Sequence, residues 1–136
     1  MKINNQLIQQ LLEQAALSPR LRQNFDMRTS EQDVSQRMLN AIVPGSKIPI
    51  HRHPISNENV FLICGRLDEV IYDSDGKEID RISLDASQCN FGHVMPAGTW
   101  HTVEVFEPSV IYEEKNGQYK QDGTETLEEY KAKLSK

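Results

Sequence analysis

From Gln36 to Glu114 the chain carries eight short runs rich in β-branched and aromatic residues: RMLNAIV, KIPIH, NVFLIC, RLDEVIYD, IDRISL, NFGHVM, HTVEVF and SVIYEE. Eight such runs in about 80 residues predict an all-β sandwich or barrel. Turn residues punctuate them. ProGlySer at 44–46 separates two runs, and AspSerAspGly at 73–76 predicts a hairpin between VIYD and KEIDRI.

The flanks read differently. Ile3, Leu7, Ile8, Leu11, Leu12, Ala15 and Ala16 recur at helical spacing, which predicts an amphipathic helix over about 3–17, ended by SerPro at 18 and 19. Its polar face is rich in Asn and Gln and poor in Lys and Arg, so it suits packing on the domain or on a second copy rather than on a membrane surface. After Glu114 the chain turns polar, and TETLEEYKAKLSK predicts a short helix with Leu127, Tyr130 and Leu134 on one side.

A chain of 136 residues buries one sizeable core. The expected organisation is a single domain: a helical extension over about 1–35, a β-barrel over about 36–114 and a tail with a helix over about 115–136. Twenty acidic and 15 basic residues give a net charge of −5, which disfavours a polyanionic nucleic-acid partner. No apolar run approaches the roughly 20 residues of a membrane span, and MKINNQLIQQLLEQ is too polar for a secretory signal, so no membrane association is expected and the expected compartment is the cytoplasm. Cys64 and Cys89 form no CxxC pair and read as reduced bystanders.

The chemistry concentrates around HRH at 51–53. Residues i and i+2 of a strand project from one face, with Cα atoms about 6–7 Å apart, so His51 and His53 can aim two imidazoles at one point while Arg52 faces away. That pair alone fits two polar residues on an ordinary strand equally well. Glu58 follows after a short connection and can add an oxygen. His101 stands just beyond ProAlaGly, a turn that delivers it to the start of a β run, and adds a third nitrogen.

The spacing of Gly45, His51, His53, Glu58 and Gly65 resembles the first motif of the cupin superfamily at every position. Pro96, Gly98 and His101 match the core of the second motif. Asn90 stands in place of its leading glycine, a role that Gly92 can take with shifted spacing, and Val105 stands where the family often has Asn. The resemblance implies a small double-stranded β-helix, the cupin jelly-roll barrel, in which His51, His53, Glu58 and His101 bind one divalent ion. Three histidines and a carboxylate suit Fe, Mn, Ni or Zn. A homodimer that exchanges the N-terminal helix or an edge strand is compatible with it.

PRLRQNF, QRMLNAIVPGS and YEEKNGQY narrow the likeness, since they look like the WbuC family of cupin-fold metalloproteins associated with bacterial O-antigen and surface-polysaccharide gene sets. The implied substrate is a small molecule such as a sugar, a sugar nucleotide or a phosphorylated sugar, and the implied chemistry is of the isomerase or epimerase type. An iron-dependent dioxygenase and a non-catalytic metal-containing ligand-binding module are the alternatives. Arg20 and Arg22 are candidate donors to a phosphate or carboxylate, and Trp100 and Tyr112, with Tyr72 and Tyr119, are candidate stacking surfaces. No residue is singled out as catalytic, and His93 is left outside the ligand set.

Overall fold

The computed structural model describes all 136 residues, Met1–Lys136. Helix α1 spans Asn5–Leu17, capped by the Asn4 side chain, which accepts from the Leu7 N–H. The strands are β1 (Arg22–Asp26), β2 (Ser35–Ile42), β3 (His51–Arg52), β4 (Glu58–Tyr72), β5 (Glu78–Asp85), β6 (Gly92–Met95), β7 (Trp100–Asn116) and β8 (Glu125–Thr126), and helix α2 covers Leu127–Leu134.

Two long antiparallel strands, β4 and β7, form the spine of one curled eight-stranded sheet, and each serves both of its halves. The second half of β7 pairs with β2, which pairs with β1, and with the first half of β4, which pairs with β6. The first half of β7 pairs with β3, which pairs with β8, and with the second half of β4, which pairs with β5. The pairing shifts register around Cys64–Leu67, where the curled sheet turns from one half to the other. Gly65 makes that turn at φ +91, and a Cβ there would collide with Ser109 and sit 2.5 Å from the Pro108 carbonyl. Only glycine fits where the two bends cross.

The core follows the same division. Ile42, Val60, Leu62 and Ile111 from one half interlock with Leu67 and Leu84 from the other. Each such side chain contributes about 1.5–3 kcal/mol by leaving water. On the outer face of β2 and β7, α1 lays Ile8, Leu11 and Ala15 over Leu39, Ala41 and Val110. This is the double-stranded β-helix that the cupin resemblance implied, with helices at both flanks.

Boundaries differ from the expected ones for local reasons. Gly65 and Pro108 read as breaks, yet each lies inside one continuous strand, so NVFLIC joins RLDEVIYD and HTVEVF joins SVIYEE. The stretch expected to be a helical extension contains β1, which extends the sheet beside β2. The tail contains β8, which pairs with β3.

Candidate metal centre

Strand pairing sets His51 directly opposite His101 across β3 and β7, and their ring centroids lie 4.3 Å apart. His53 is 5.0 Å from the His51 ring and 5.3 Å from the His101 ring. One ligand atom from each of the three falls within 4.8 Å of the others, a grouping that could hold a metal ion. Glu58, the first residue of β4, closes the fourth side. Its Oε2 lies 3.2 Å from His53 Nε2, and its Oε1 lies 3.7 Å from His101 Nε2.

The outer nitrogens fix the tautomers. His51 Nδ1 is 2.8 Å from the Pro49 carbonyl and His101 Nδ1 is 2.8 Å from the Thr99 carbonyl, and a carbonyl can only accept. His53 Nδ1 lies 2.9 Å from Thr124 Oγ1, whose own proton goes to Asp122 Oδ1 at 2.5 Å. All three rings therefore donate through Nδ1 and turn an Nε2 lone pair toward the centre. His53 Nε2 and His101 Nε2 are buried with no hydrogen-bond partner. Orphaned acceptors of this kind are costly unless a cation completes them, so the donor set fits a metal ion.

The charges agree. Burial, helped by His101, pushes the His51 pKa down to about 3 and keeps that ring neutral. Burial works against charge on both Glu58 and His101. In the ion-free chain their mutual contact, with His53 adding to it, outweighs burial, holds the carboxylate ionised and raises the His101 pKa, so a proton on His101 Nε2 occupies the place that a cation would take. Farther along the inner face, burial lifts Glu69 and Glu113 to about 8 each, with neighbouring carboxylates adding to the effect.

The family model described as Domain of unknown function (DUF6016) matches residues 3–84, more than half of the chain. The chain belongs to the DUF6016 family. No curated protein matches it in sequence. Among solved structures, this DUF6016 chain is similar to a cupin-2 domain protein from Rhodospirillum rubrum, at 13% identity and a TM-score of 0.58 over 77% of this chain and 64% of that one. It is also similar to the capsular polysaccharide assembling protein CapF from Staphylococcus aureus, at 20% identity and a TM-score of 0.61 over 78% and 31% of the two chains. A third is Bacillus subtilis oxalate decarboxylase, described through its Mn(II) centres, at 22% identity and a TM-score of 0.59 over 80% and 28%. The chain spans less than two thirds of the length of each, and these likenesses place its fold among the cupins.

A cavity of about 320 Å³ opens beside the histidines of this DUF6016 chain, and His51, His53, Glu58 and His101 form one end of it. Arg20 and Arg22 line it too, as do Glu113 and Tyr119. Two other expected substrate contacts lie elsewhere. Trp100 is 5% exposed, and its ring packs 5.4 Å from that of Tyr130. Tyr112 alternates with the inward Ile111 and Glu113, so it faces the α1 side and donates to Glu114 Oε2 at 2.9 Å. Arg52 points away from the histidines as strand alternation requires. Its guanidinium lies 4.3 Å from the Trp100 ring and 4.8 Å from the Tyr130 ring and donates to Glu125 Oε1 at 2.6 Å.

Sequence reasoning missed Thr124, Asp122 and Lys115, which support His53 from behind. Lys115 Nζ donates to Asp122 Oδ2 at 2.6 Å, and both side chains are almost wholly buried. No local pattern marks them. Glu69 and Glu113 were missed as well, although each stands two residues from an inward core residue of its strand, Leu67 and Ile111. His93, opposite Val60 on β6, has a buried Nε2 without a partner but does not line the cavity.

Proposed function

We propose that this chain is a metal-binding cupin that acts on a sugar or sugar derivative in bacterial surface-polysaccharide assembly. The observation that carries the metal is the convergence of three Nε2 lone pairs whose Nδ1 partners are already committed to oxygen acceptors. Glu58, ionised and in contact with two of those nitrogens, is the fourth ligand in this reading. The polysaccharide setting is supported by the resemblance to the WbuC family and by the likeness to a protein described as assembling capsular polysaccharide.

Fe, Mn, Ni or Zn would suit this ligand set and, when bound, supplies Lewis acidity toward a substrate carbonyl or hydroxyl oxygen. The chain's own residues do the rest. Glu113, on the cavity wall, holds a proton near neutrality and is suited to exchange it with a substrate, as isomerase or epimerase chemistry requires.

Elemental analysis of the purified protein tests the first half. About one ion per chain is expected, lost in His51→Ala and His101→Ala, and wild-type protein that binds none overturns the proposal. Metal-replete protein is then incubated with phosphorylated and nucleotide-activated sugars and followed by NMR. Sugars that all remain unchanged would overturn the enzymatic half and leave the metal centre standing.

A further inference from the structure

Seven arginines occur in the chain, and five have carboxylate partners. Arg28 pairs with Asp26, Arg37 with Asp33, Arg52 with Glu125, Arg66 with Glu107, and Arg81 with Asp68, Glu78 and Glu104. Arg20 and Arg22 have none, and they are the two that line the cavity holding the histidines. Glu113 on the same wall favours the charge on Arg22 but makes no ion pair with it, and the two guanidinium groups oppose each other, so an anion between them would relieve the repulsion.

The segment that carries them is anchored. The Leu21 N–H donates to the Ser18 carbonyl at 2.9 Å, and the Val43 N–H donates to the Leu21 carbonyl at 3.1 Å. Ser46 Oγ donates to the Arg20 carbonyl at 2.8 Å, and Arg22 Nη1 to the Lys47 carbonyl at 3.2 Å. Leu21, between the arginines, adopts φ +56, a left-handed conformation that leucine rarely takes. Arg22 spends one donor on Lys47, and the Arg20 side chain makes no hydrogen bond within the chain.

Between this cationic end and the histidines the wall is polar. Gln36 and Asn40 of β2 are each 9% exposed and line the cavity, and Gln36 Oε1 and Asn40 Oδ1 have no partner. Unpaired amide oxygens in such a place call for hydroxyl donors.

From these observations we infer that Arg20 and Arg22 form an anion subsite, and that the ligand is a small hydroxylated molecule bearing a phosphate or carboxylate. Its charged group sits on the two guanidinium forks, its hydroxyls reach Gln36 and Asn40, and an oxygen at its other end faces the histidines. The inference rests on the sugar-directed reading above and narrows it. At about 320 Å³ the cavity lies at the low end for ligand pockets, which suits a phosphorylated or acidic monosaccharide and leaves the nucleoside of a sugar nucleotide outside.

Inorganic phosphate and acetate serve as probes, titrated calorimetrically into the metal-replete full chain. At least one is expected to bind, and which one does so identifies the anion. Arg20→Gln and the double variant Arg20→Gln/Arg22→Gln should each weaken it about tenfold or more, while Arg66→Gln leaves it unchanged. Arg20→Gln breaks no internal hydrogen bond, so it carries the test even if the double variant fails to fold. His51→Ala should keep anion binding that depends on Arg20 while losing metal, which separates this inference from the metal assignment. Failure of both probes to bind the wild type, or equal binding by wild type and Arg20→Gln, would overturn it.

Discussion

His53 Nδ1 lies 2.9 Å from Thr124 Oγ1, across 71 residues of sequence, and the Thr124 hydroxyl in turn donates a hydrogen bond to Asp122. A residue of the tail thus sets which nitrogen of a proposed ligand carries hydrogen. Thr124→Val keeps the shape and removes the acceptor. Metal affinity, measured by competition with a chelator, should fall about 10- to 100-fold with the fold retained.

Behind Thr124, the ion pair of Lys115 and Asp122 is sealed from solvent. Lys115→Met leaves the Asp122 carboxylate buried and unpaired, and denaturant unfolding should show a loss of about 3–5 kcal/mol. Adding Asp122→Asn should recover part of that loss, because the charge goes with its partner.

Arg52 ties the HRH segment to the tail through Glu125, Trp100 and Tyr130. Arg52→Ala should cost about 1–2 kcal/mol. Trp100 is the single tryptophan, so its fluorescence reports this site alone, and a red shift with faster acrylamide quenching is expected as α2 loosens.

Glu69 is 1% exposed, with Oε2 unpartnered, and burial raises its pKa from 4.5 to about 8 against the opposing influence of His101. A folded pKa above the unfolded one means that the native state holds the extra proton between those values. Stability is therefore fully present below the unfolded pKa and is lost as pH rises through about 8. The melting temperature of metal-free protein should fall between about pH 5 and pH 9. Glu69→Gln should flatten part of that fall, and the raised pKa of Glu113 accounts for a further share.

Short-range patterns carried most of the fold. Helix α1, the hairpin at Asp73–Gly76 and the inward pair of histidines all follow from spacing, turn chemistry or strand alternation within a few residues. Strand continuity through Gly65 and Pro108 was not legible, because both residues are ordinary breakers and only the crossing of two bends turns them into features of long strands. Trp100 beside His101 invited a role at the cavity, but neighbours on a strand face opposite ways, and its ring went to Arg52 and Tyr130. The support behind His53 depends on residues about 70 positions downstream, and no local periodicity encodes a pairing of that range.

The link from His53 to Thr124 also orders events during synthesis. A nascent chain that has emerged as far as His101 already holds all three imidazoles, yet nothing fixes the His53 ring until residues 122–126 arrive and dock. In the metal-binding reading proposed above, selective ion capture follows docking of the tail. In that reading, the histidines of a partly emerged chain would take cations by intrinsic affinity and availability rather than by the geometry of a finished site.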